Sequence, residues 1–373
     1  MLPAGNLFIG LMSGTSLDGV DAVLLDCANP ANLKLLGRHS EPFSPDLKQA
    51  LWALQAPADN ELHRMALAGI SLATVYAQAV KSLLTQTDLT ASQITAIGAH
   101  GQTVRHRPEL GFTWQINAPA TLVELTGVAV VSDFRSRDIA AGGQGAPLVP
   151  AFHQHVFGDD TPRVILNLGG IANISVLEPG QAPRGSDSGP ANMLMDNWCA
   201  LHLGHDFDEG GKWGAQGKLV DTLLSHLISK EPWFTRPFPK STGRDLFNIG
   251  WLSKRLAEFK KTHDQLPLPV DIQTTLQHFT ARTVALAIEG MNAQGWPIYV
   301  CGGGALNHAL LKHIANETQA PVYSTQLLGI PPQDVEAAAF AWLAWAHFHK
   351  VPANEPKATG ARGARVLGAY WPV

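Results

Sequence analysis

A single aspartate in a short polar segment is the first candidate for chemistry in this chain of 373 residues. Asp187 is followed by Ser-Gly-Pro, and a helix is predicted to begin near Asn192. A carboxylate held on such a stiff turn could act as a general base, a role that contributes about 10²–10⁴ in rate. It could equally be a turn or capping aspartate, because Asp favours turns through local hydrogen bonds. The residues alone leave both interpretations open.

Three glycine-rich turns could bind phosphate or a nucleotide. Gly14–Gly19 joins two extended segments, Asn167–Asn173 joins two more, and Cys301–Asn307 leads from a strand into a helix. Glycine permits positive φ and close backbone approach, so such turns can present N–H groups to a phosphate. Each turn alone has an ordinary structural explanation as a hairpin or loop. Together they favour a cleft in which two turns hold phosphates from opposite sides and the third holds adenosine.

The first turn differs from the two common phosphate motifs. It lacks the Gly-Lys-Ser/Thr of a Walker loop, and a strand follows it instead of the helix that a dinucleotide fingerprint requires. Thr15 and Ser16 add hydroxyl donors to the turn. Asp18 or Asp21 could hold a hydrated Mg²⁺ ion, since Mg²⁺ prefers carboxylate and water oxygens.

The elements around these turns predict an α/β fold with an internal duplication. The order strand, glycine turn, strand occurs at residues 7–27 and again at 163–177, which indicates two related halves. We expect two closely packed domains. The first spans 1–131 and is completed by a C-terminal tail of about 350–373, and the second spans 132–349.

The composition limits the classes of function. Hydrophobic residues make up 45% and charged residues 16%, which is typical of a globular enzyme with a large core. The net charge of -4 gives no electrostatic reason to bind nucleic acid or an anionic membrane.

The fifteen histidines show no zinc spacing. Three cysteines without CxxC spacing, and no basic residue before Lys34, predict reduced thiols and a cytoplasmic location. The uncharged stretch 65–80 is predicted to be a buried helix and not a bilayer span.

The three turns resemble the phosphate and adenosine motifs of the superfamily that includes hexokinase, actin and the heat-shock ATPases. More narrowly, Ser13–Asp21 resembles the signature of the anhydro-N-acetylmuramic acid kinase family, and the similarity covers essentially the whole chain. The other matching segments are His100–Thr103, Asp133–Pro147, Asn167–Asn173, Asp187–Pro190, Cys301–Asn307 and the helix around Glu336. Ser188 and Ala191 depart from the family pattern, which more often has Thr and Gly at these positions.

The resemblance implies a fold, a chemistry and a setting. The fold is the two-domain actin-like (ribonuclease H-like) ATPase fold, with duplicated βββαβα units around a nucleotide cleft. The implied cofactors are ATP and Mg²⁺, and the implied setting is cytoplasmic recycling of cell-wall sugar by a homodimer. The implied ATP contacts are Gly14, Thr15, Ser16, Leu17, Asp18, Gly19, Val20, Asp21, Asn167, Gly169, Gly170, Asn173, Gly302, Gly303, Gly304 and Asn307.

The implied substrate, 1,6-anhydro-N-acetylmuramic acid, defines what the remaining polar residues would do. Asp187 would be the base, and His100, Gln102 and Glu336 would contact the sugar. The lactyl carboxylate needs a cation, for which Arg135 and Arg137 are candidates, because guanidinium grips a carboxylate with two hydrogen bonds. Both arginines lie in the segment 132–147, which is predicted to be a loop.

Two other functions fit the same superfamily. One is a nucleotide-driven scaffold or chaperone, but the chain is too short to carry a separate peptide-binding domain. The other is a kinase or hydrolase of a different small metabolite, such as another amino sugar. Asp187 and the segment 132–147 are the features that discriminate between these functions.

Overall fold

Thirteen strands and twelve helices form in the part of the chain that the computed structural model describes, residues 5–14, 17–30 and 32–373. The strands are β1 (Leu7–Met12), β2 (Gly19–Asp26), β3 (Lys34–Pro42), β4 (Ala96–Ala99), β5 (Gln102–Arg107), β6 (Phe112–Ile116), β7 (Val130–Ser132), β8 (Arg163–Leu168), β9 (Ile171–Leu177), β10 (Arg184–Pro190), β11 (Ile298–Cys301), β12 (Val322–Ser324) and β13 (Ala369–Trp371). The helices are α1 (Pro45–Ala53), α2 (Glu61–Thr87), α3 (Pro119–Thr126), α4 (Ser136–Ala140), α5 (Val149–Phe157), α6 (Asn192–Leu203), α7 (Asp221–Ser229), α8 (Ile249–Lys260), α9 (Pro269–Gly290), α10 (His308–Thr318), α11 (Val335–Phe348) and α12 (Pro356–Thr359).

The chain divides into two units. The terminal unit comprises Met1–Phe157 together with Asp334–Val373, and the central unit comprises Gly158–Gln333. In the terminal unit the main sheet has the order β13-β7-β4-β1-β2-β3. Strands β1, β2 and β3 are antiparallel, and β4 and then β7 add to β1 in parallel.

The sheet of the central unit repeats this topology. Its order is β10-β9-β8-β11-β12, with β8, β9 and β10 antiparallel and β11 and β12 added to β8 in parallel. Helices α6–α9 connect β10 to β11, and α10 connects β11 to β12. Two antiparallel turns followed by parallel crossovers make a βββαβα unit in each case. The predicted fold class, an α/β duplication with a glycine turn after the first strand of each half, is confirmed.

The border between the two units lies elsewhere than the sequence predicted. We expected it at residues 131 and 349, but the structure places it at 157 and 333. The reason is α11, which packs on β1, β2 and β4. A Cβ at Gly10 or Gly98 would overlap the backbone of α11, so these glycines let the helix lie directly on the sheet. Helix α5 in turn packs on α11 through Phe152 and Trp342, whose ring centroids are 5.9 Å apart.

The long helix α2 covers the other part of the terminal core. Its Leu72, Tyr76 and Leu83 are completely buried, and their spacings of four and seven residues place them on one face. Of the described helices, α2 alone has the length and apolar composition that a bilayer span requires. Burial of these side chains within the terminal unit is the behaviour of a core helix, and each contributes about 1.5–3 kcal/mol to the free energy of unfolding.

The predicted loop 132–147 contains a short helix. Helix α4 occupies Ser136–Ala140 within it. A five-residue helix is too short to show the periodic pattern by which sequence analysis finds helices. The glycine-rich remainder, from 141 to 147, is irregular as expected.

Candidate active site

Asp187 lies on strand β10 and not on the turn that the sequence predicted. Strand β10 is the edge of the central sheet, and its register with β9 shifts between Asp187 and Gly189. Such a bulge bends a strand and re-aims its side chains. Gly189 has a φ of 146°, and a Cβ there would press on Thr283 and Phe234. The carboxylate is therefore held firmly, but by a bulged strand that only glycine permits.

A distant backbone segment fixes the carboxylate. The Thr242 N–H donates to Asp187 Oδ2 at 2.8 Å, and the Asp187 N–H donates to the Lys240 carbonyl at 2.9 Å. Burial raises the pKa of Asp187 to about 7, although the Thr242 N–H acts in the opposite direction. Part of the side chain remains exposed. The group is thus a carboxylate that can gain or lose a proton near neutral pH and can still be reached by a small molecule.

The sheet register places Asp187 beside two of the predicted ATP contacts. Asp187 pairs with Asn173 on β9, and Asn173 pairs with Asn167 on β8. Directly paired residues project from the same face of a sheet. Asn167 is buried, and its Oδ1 has no hydrogen-bond partner within the described ranges. One polar row therefore crosses three strands, with the carboxylate at its outer end.

The turn between β8 and β9 presents its amides as a phosphate loop would. The carbonyls of Leu168, Gly169 and Gly170 all accept hydrogen bonds from residues Ala191–Met193 at the start of α6. In a trans peptide the N–H points opposite to the C=O. The N–H groups of Gly169 and Gly170 therefore point away from α6. They are available to an anion on the other side of the turn.

The third glycine turn packs against this one. Gly302 has a φ of 80°, and a Cβ there would overlap Asn167 Oδ1 and the Leu168 carbonyl. A Cβ at Gly304 would overlap the Leu168 side chain. Gly303 is open by comparison, with no atom nearer than 3.7 Å to such a Cβ. Asn307 caps α10, since its side chain accepts from the Leu310 N–H at 3.0 Å. The two turns thus share one surface of the central unit, as a phosphate loop and an adenosine motif require.

The first glycine turn lies in the terminal unit. Thr15 and Ser16 fall outside the described residues. Leu17 has a φ of 60° with a buried side chain, a conformation that persists in a non-glycine residue only when packing enforces it. The Leu17 N–H donates to the Gly14 carbonyl at 3.3 Å. A Cβ at Gly19 would overlap the Glu41 carbonyl of β3, and Val20 is a core residue.

The aspartates after this turn suit a hydrated Mg²⁺ ion. Asp18 is largely exposed and lies 3.2 Å from Lys48 Nζ. Asp21 is half-buried and accepts from Ser40 Oγ at 2.6 Å. Burial raises the pKa of Asp21, and Asp18 adds to that rise, so a cation nearby would relieve both effects. No group of three or more metal-binding side chains occurs in the described ranges. Mg²⁺ usually keeps several waters and takes one or two carboxylates, which Asp18 and Asp21 could supply.

Arg135 and His100 form a fixed pair in the terminal unit. Arg135 Nη2 and Nε lie 3.0 Å and 3.2 Å from His100 Nε2, and Nη1 donates to the Gly145 carbonyl at 2.8 Å. Burial and the Arg135 charge hold the pKa of His100 well below its usual range, so the imidazole is neutral and its Nε2 accepts. Burial lowers the pKa of Arg135 to about 10, and the charges of Glu336 and Asp138 oppose that shift. Arg135 therefore stays cationic at neutral pH.

Gln102, one of the residues predicted to contact the sugar, is hydrogen-bonded to the first glycine turn. Its Nε2 donates to the Gly14 carbonyl at 3.2 Å, and its buried Oε1 has no hydrogen-bond partner in the described part of the chain. Ser13 supports the same junction, with its hydroxyl 2.8 Å from the Tyr76 hydroxyl and 3.0 Å from the Gly101 carbonyl. Because buried polar atoms are usually hydrogen-bonded, Gln102 Oε1 is a candidate acceptor for a donor group of a bound ligand.

Glu336 lies in the first turn of α11, as predicted. Its side chain is half-buried, and its charge acts on Arg135. The structure thus groups the predicted residues by unit. His100, Gln102, Arg135 and Glu336 lie in the terminal unit with Gly14–Asp21. Asp187 lies in the central unit with Asn167–Asn173 and Gly302–Asn307.

Three residues that contribute to these sites are not predicted from the sequence. Thr242 and Lys240 hold Asp187 from 55 and 53 positions along the chain, and the polar run Lys-Ser-Thr-Gly-Arg at 240–244 was the available signal. Asp334 was also missed. Its buried Oδ2 has no hydrogen-bond partner among the described residues. Burial raises the pKa of Asp334, the Arg38 charge opposes that rise, and the Asp21 charge adds to it. Asp334 adds a buried carboxylate whose charge interacts with that of the half-buried Asp21.

Two copies of the βββαβα sheet, each with a glycine turn after its first strand, define the class of this protein. It is an ATPase-type protein of the two-domain actin-like, ribonuclease H-like fold. The model of the family described as "Anhydro-N-acetylmuramic acid kinase" matches residues 6–373. The chain belongs to the anhydro-N-acetylmuramic acid kinase family. It is thus a phosphotransferase that uses ATP and transfers to an alcohol group, in a family of cell-wall recycling.

Individual relatives agree with this assignment. The chain is 54% identical over 368 residues to the anhydro-N-acetylmuramic acid kinase of Bordetella petrii, covering 99% of this chain and 97% of the relative. It is 50% identical over 380 residues to that of Variovorax paradoxus, covering 99% and 100%. A ROK family glucokinase from Streptomyces griseus, solved with glucose and AMPPNP, aligns with a TM-score of 0.41 and 14% identity, covering 90% and 98%. That likeness is too distant to bear on the site.

Proposed function

We propose that this kinase opens 1,6-anhydro-N-acetylmuramic acid with water and phosphorylates the freed O6, giving N-acetylmuramic acid 6-phosphate and ADP. The observation that carries the proposal is Asp187. Its carboxylate is held by a bulged strand and one backbone N–H, and burial raises its pKa to about 7. A general base works best when its pKa lies near the operating pH.

The substrate requires one base for two linked events. In the anhydro sugar, O6 is bonded to C1, so there is no 6-hydroxyl to phosphorylate. Water adds to C1 as the C1–O6 bond breaks, through an oxocarbenium-like transition state. Asp187 accepts the proton of that water. The released O6 attacks the γ-phosphorus of ATP, the bond to the β–γ bridging oxygen breaks, and ADP leaves.

Asp187 is suited to this role because, among the described residues, a backbone N–H is bonded to only one of its two oxygens. Oδ2 accepts the Thr242 N–H, which leaves Oδ1 to accept the proton. The Thr242 bond also fixes the plane of the carboxylate, so the lone pairs of Oδ1 have a constant direction. Holding a base in one geometry removes the entropy that the reaction would otherwise have to supply.

Arg135 is proposed to bind the lactyl carboxylate of the sugar. Its bonds to His100 and Gly145 engage three of its five N–H groups. Two N–H groups remain for a carboxylate. Neutral His100 can orient the guanidinium without competing for the anion. Gln102 and Glu336 are proposed to contact sugar hydroxyl or amide groups, for which an amide and a carboxylate are suitable partners.

ATP is proposed to contact the three glycine turns through their backbone amides. Asp18 and Asp21 are proposed to hold Mg²⁺ through water, and the ion when bound would neutralise charge on the phosphates. The two glycines at 169 and 170 would supply N–H donors, and the turn at 302–304 would lie against adenosine. Phosphoryl transfer asks a protein mainly for such positioning and charge stabilisation.

The cellular location, the partners and the oligomeric state of the enzyme are also proposals. The three cysteines are buried thiols, as expected for a reducing compartment, which supports a cytoplasmic location. The net charge of -4 supports a small-molecule substrate and no nucleic-acid or membrane partner. A homodimer is proposed from the family resemblance, and light scattering of the purified chain would test it.

The decisive experiment follows oxygen from ¹⁸O water. Purified enzyme, ATP, Mg²⁺ and the anhydro sugar are mixed in labelled water and quenched within minutes, before the anomeric hydroxyl exchanges. We expect ADP and sugar phosphate in equal amounts, with the label on C1. Unlabelled N-acetylmuramic acid 6-phosphate in the same water measures exchange. ADP with labelled inorganic phosphate and no sugar phosphate would refute the proposal.

A further inference from the structure

The terminal unit contains a buried carboxylate that the reaction described above does not use. Asp138 on α4 has no exposed surface. Its Oδ1 accepts from Asn354 Nδ2 at 2.6 Å and from Thr359 Oγ1 at 2.8 Å. Its Oδ2 accepts from the Gly145 N–H at 2.8 Å. Three hydrogen-bond donors therefore reach the Asp138 carboxylate, which has no contact with solvent.

These bonds connect the C-terminal segment to the loop that carries Arg135. Asn354 and Thr359 are 216 and 221 positions from Asp138, and both are buried. Asn354 is itself fixed, because its Oδ1 accepts from the Arg365 N–H at 2.6 Å. The backbones are also joined, since the Gln144 N–H donates to the Thr359 carbonyl at 2.8 Å.

Gly145 connects the hydrogen bonds around Asp138 to the guanidinium group of Arg135. Its N–H donates to Asp138, and its carbonyl accepts from Arg135 Nη1 at 2.8 Å. Gly143 must also be glycine, because a Cβ there would overlap Asp138 Oδ2. The loop is therefore closely packed around one carboxylate. A shift of that carboxylate would move the carbonyl that orients Arg135.

We propose that Asp138 is a positioning residue that sets Arg135 for the substrate carboxylate, and that Asn354 and Thr359 hold Asp138 in place. The inference rests on the proposed function, since it assumes that Arg135 binds the lactyl carboxylate. Asp138 has no direct contact with substrate in this scheme. It acts on carboxylate recognition through Gly145. Its charge also acts on Arg135, and Thr359→Val tests the positioning role without changing that charge.

Binding to two sugars separates this role from a general structural one. The ligands are 1,6-anhydro-N-acetylmuramic acid and its lactyl carboxamide, which keeps the shape but lacks the charge. Calorimetry gives Kd for each with the full chain. The wild type should bind the carboxylate roughly 10-fold or more tighter, as expected for a charge-assisted pair with guanidinium.

Asp138→Asn places an NH₂ group against one of three donors, so at least one bond is lost. We expect Kd for the carboxylate sugar to rise about 10-fold and Kd for the carboxamide to stay within about twofold. Thr359→Val removes one donor with little change in shape, and a rise of about threefold is expected. Thr359→Ser keeps the hydroxyl and should restore the wild-type value.

Thr126→Val is the matched control in the same unit. Thr126 Oγ1 donates to the Leu122 carbonyl at 2.7 Å and accepts from the Val128 N–H at 3.3 Å. Like Thr359→Val, the variant therefore loses one donated and one accepted hydroxyl bond, but outside the network. Its Kd values should equal those of the wild type. The thermal midpoints of all variants report whether they fold. If Asp138→Asn does not fold, Thr359→Val and Thr359→Ser decide the question.

Two results would overturn the inference. One is an unchanged carboxylate Kd in folded Asp138→Asn or in Thr359→Val. The other is an equal weakening of both sugars, which would mean that the network supports the whole site and not Arg135. A wild type that binds neither sugar would instead refute the proposed function.

Discussion

Replacing Asp187 by Asn removes the proton acceptor while keeping the shape of the side chain. The amide can still accept the Thr242 N–H through its oxygen, so the local structure of β10 should survive. The residues proposed to bind ATP remain in place. We expect the KM for ATP to change by less than about threefold and kcat to fall by at least about 10²-fold, the lower end of what a general base contributes.

The pH dependence of kcat/KM is a second test of Asp187 as the base. With a pKa of about 7, the carboxylate is ionised in roughly 10% of molecules at pH 6 and roughly 90% at pH 8. The wild-type kcat/KM should therefore rise about tenfold over this interval. The residual activity of Asp187→Asn should lack this rise, because an amide does not titrate in the range.

The ionisation of Asp187 that raises kcat/KM with increasing pH should lower the stability of the folded protein over the same pH range. Its pKa is raised on folding, from 3.8 to about 7, so the folded state binds the proton more tightly. The stability that protonation gives is present below pH 4 and is lost as the pH rises through 7. The neutral amide avoids this loss. Asp187→Asn should raise the midpoint of thermal unfolding at pH 8 by about 2–4 °C, with no difference near pH 4.

Asp245→Asn is the control for these measurements. Asp245 is exposed and lies three residues from Thr242, so its removal changes the charge of the segment without touching Asp187. Its turnover, pH profile and midpoint should match the wild type. Near-normal turnover of Asp187→Asn, or a wild-type rate that is flat between pH 6 and 8, would refute the assignment of Asp187 as the base.

Four further predictions concern other parts of the chain. Arg135→Lys should raise the sugar KM about 10-fold with an unchanged KM for ATP, because an ammonium cannot form the paired bonds of a guanidinium. Gly302→Ala should raise the KM for ATP about 10-fold, since φ is 80° and the new Cβ overlaps Asn167. Gly98→Ala should lower the free energy of unfolding by about 1–3 kcal/mol in urea titrations, because α11 must move off the sheet. Removal of Mg²⁺ with EDTA should abolish turnover, and Asp21→Asn should require more Mg²⁺ to restore it. Full activity in excess EDTA would contradict the magnesium proposal.

Much of the fold follows from local patterns. The strands at both glycine turns are short apolar runs bounded by glycine, so their duplication was visible without tertiary information. Pro119 at the first position of α3 and Gly127 after its end mark that helix within one residue. The border between the units was not visible. It depends on where α11 packs, and that is set by the contact of its backbone with Gly10 and Gly98.

The candidate site, like the fold, was predicted from the sequence only in part. Sequence determined which residue types were present: an aspartate before Ser-Gly-Pro, three glycine turns, and an arginine in a glycine-rich segment. Only the tertiary structure put Asp187 on a bulged edge strand in register with Asn173 and raised its pKa. Burial and cross-strand register arise from contacts between residues far apart in the chain. For the same reason, no local pattern links Asp138 to Asn354 and Thr359, because hydrogen bonds over more than two hundred positions exist only once the chain has folded.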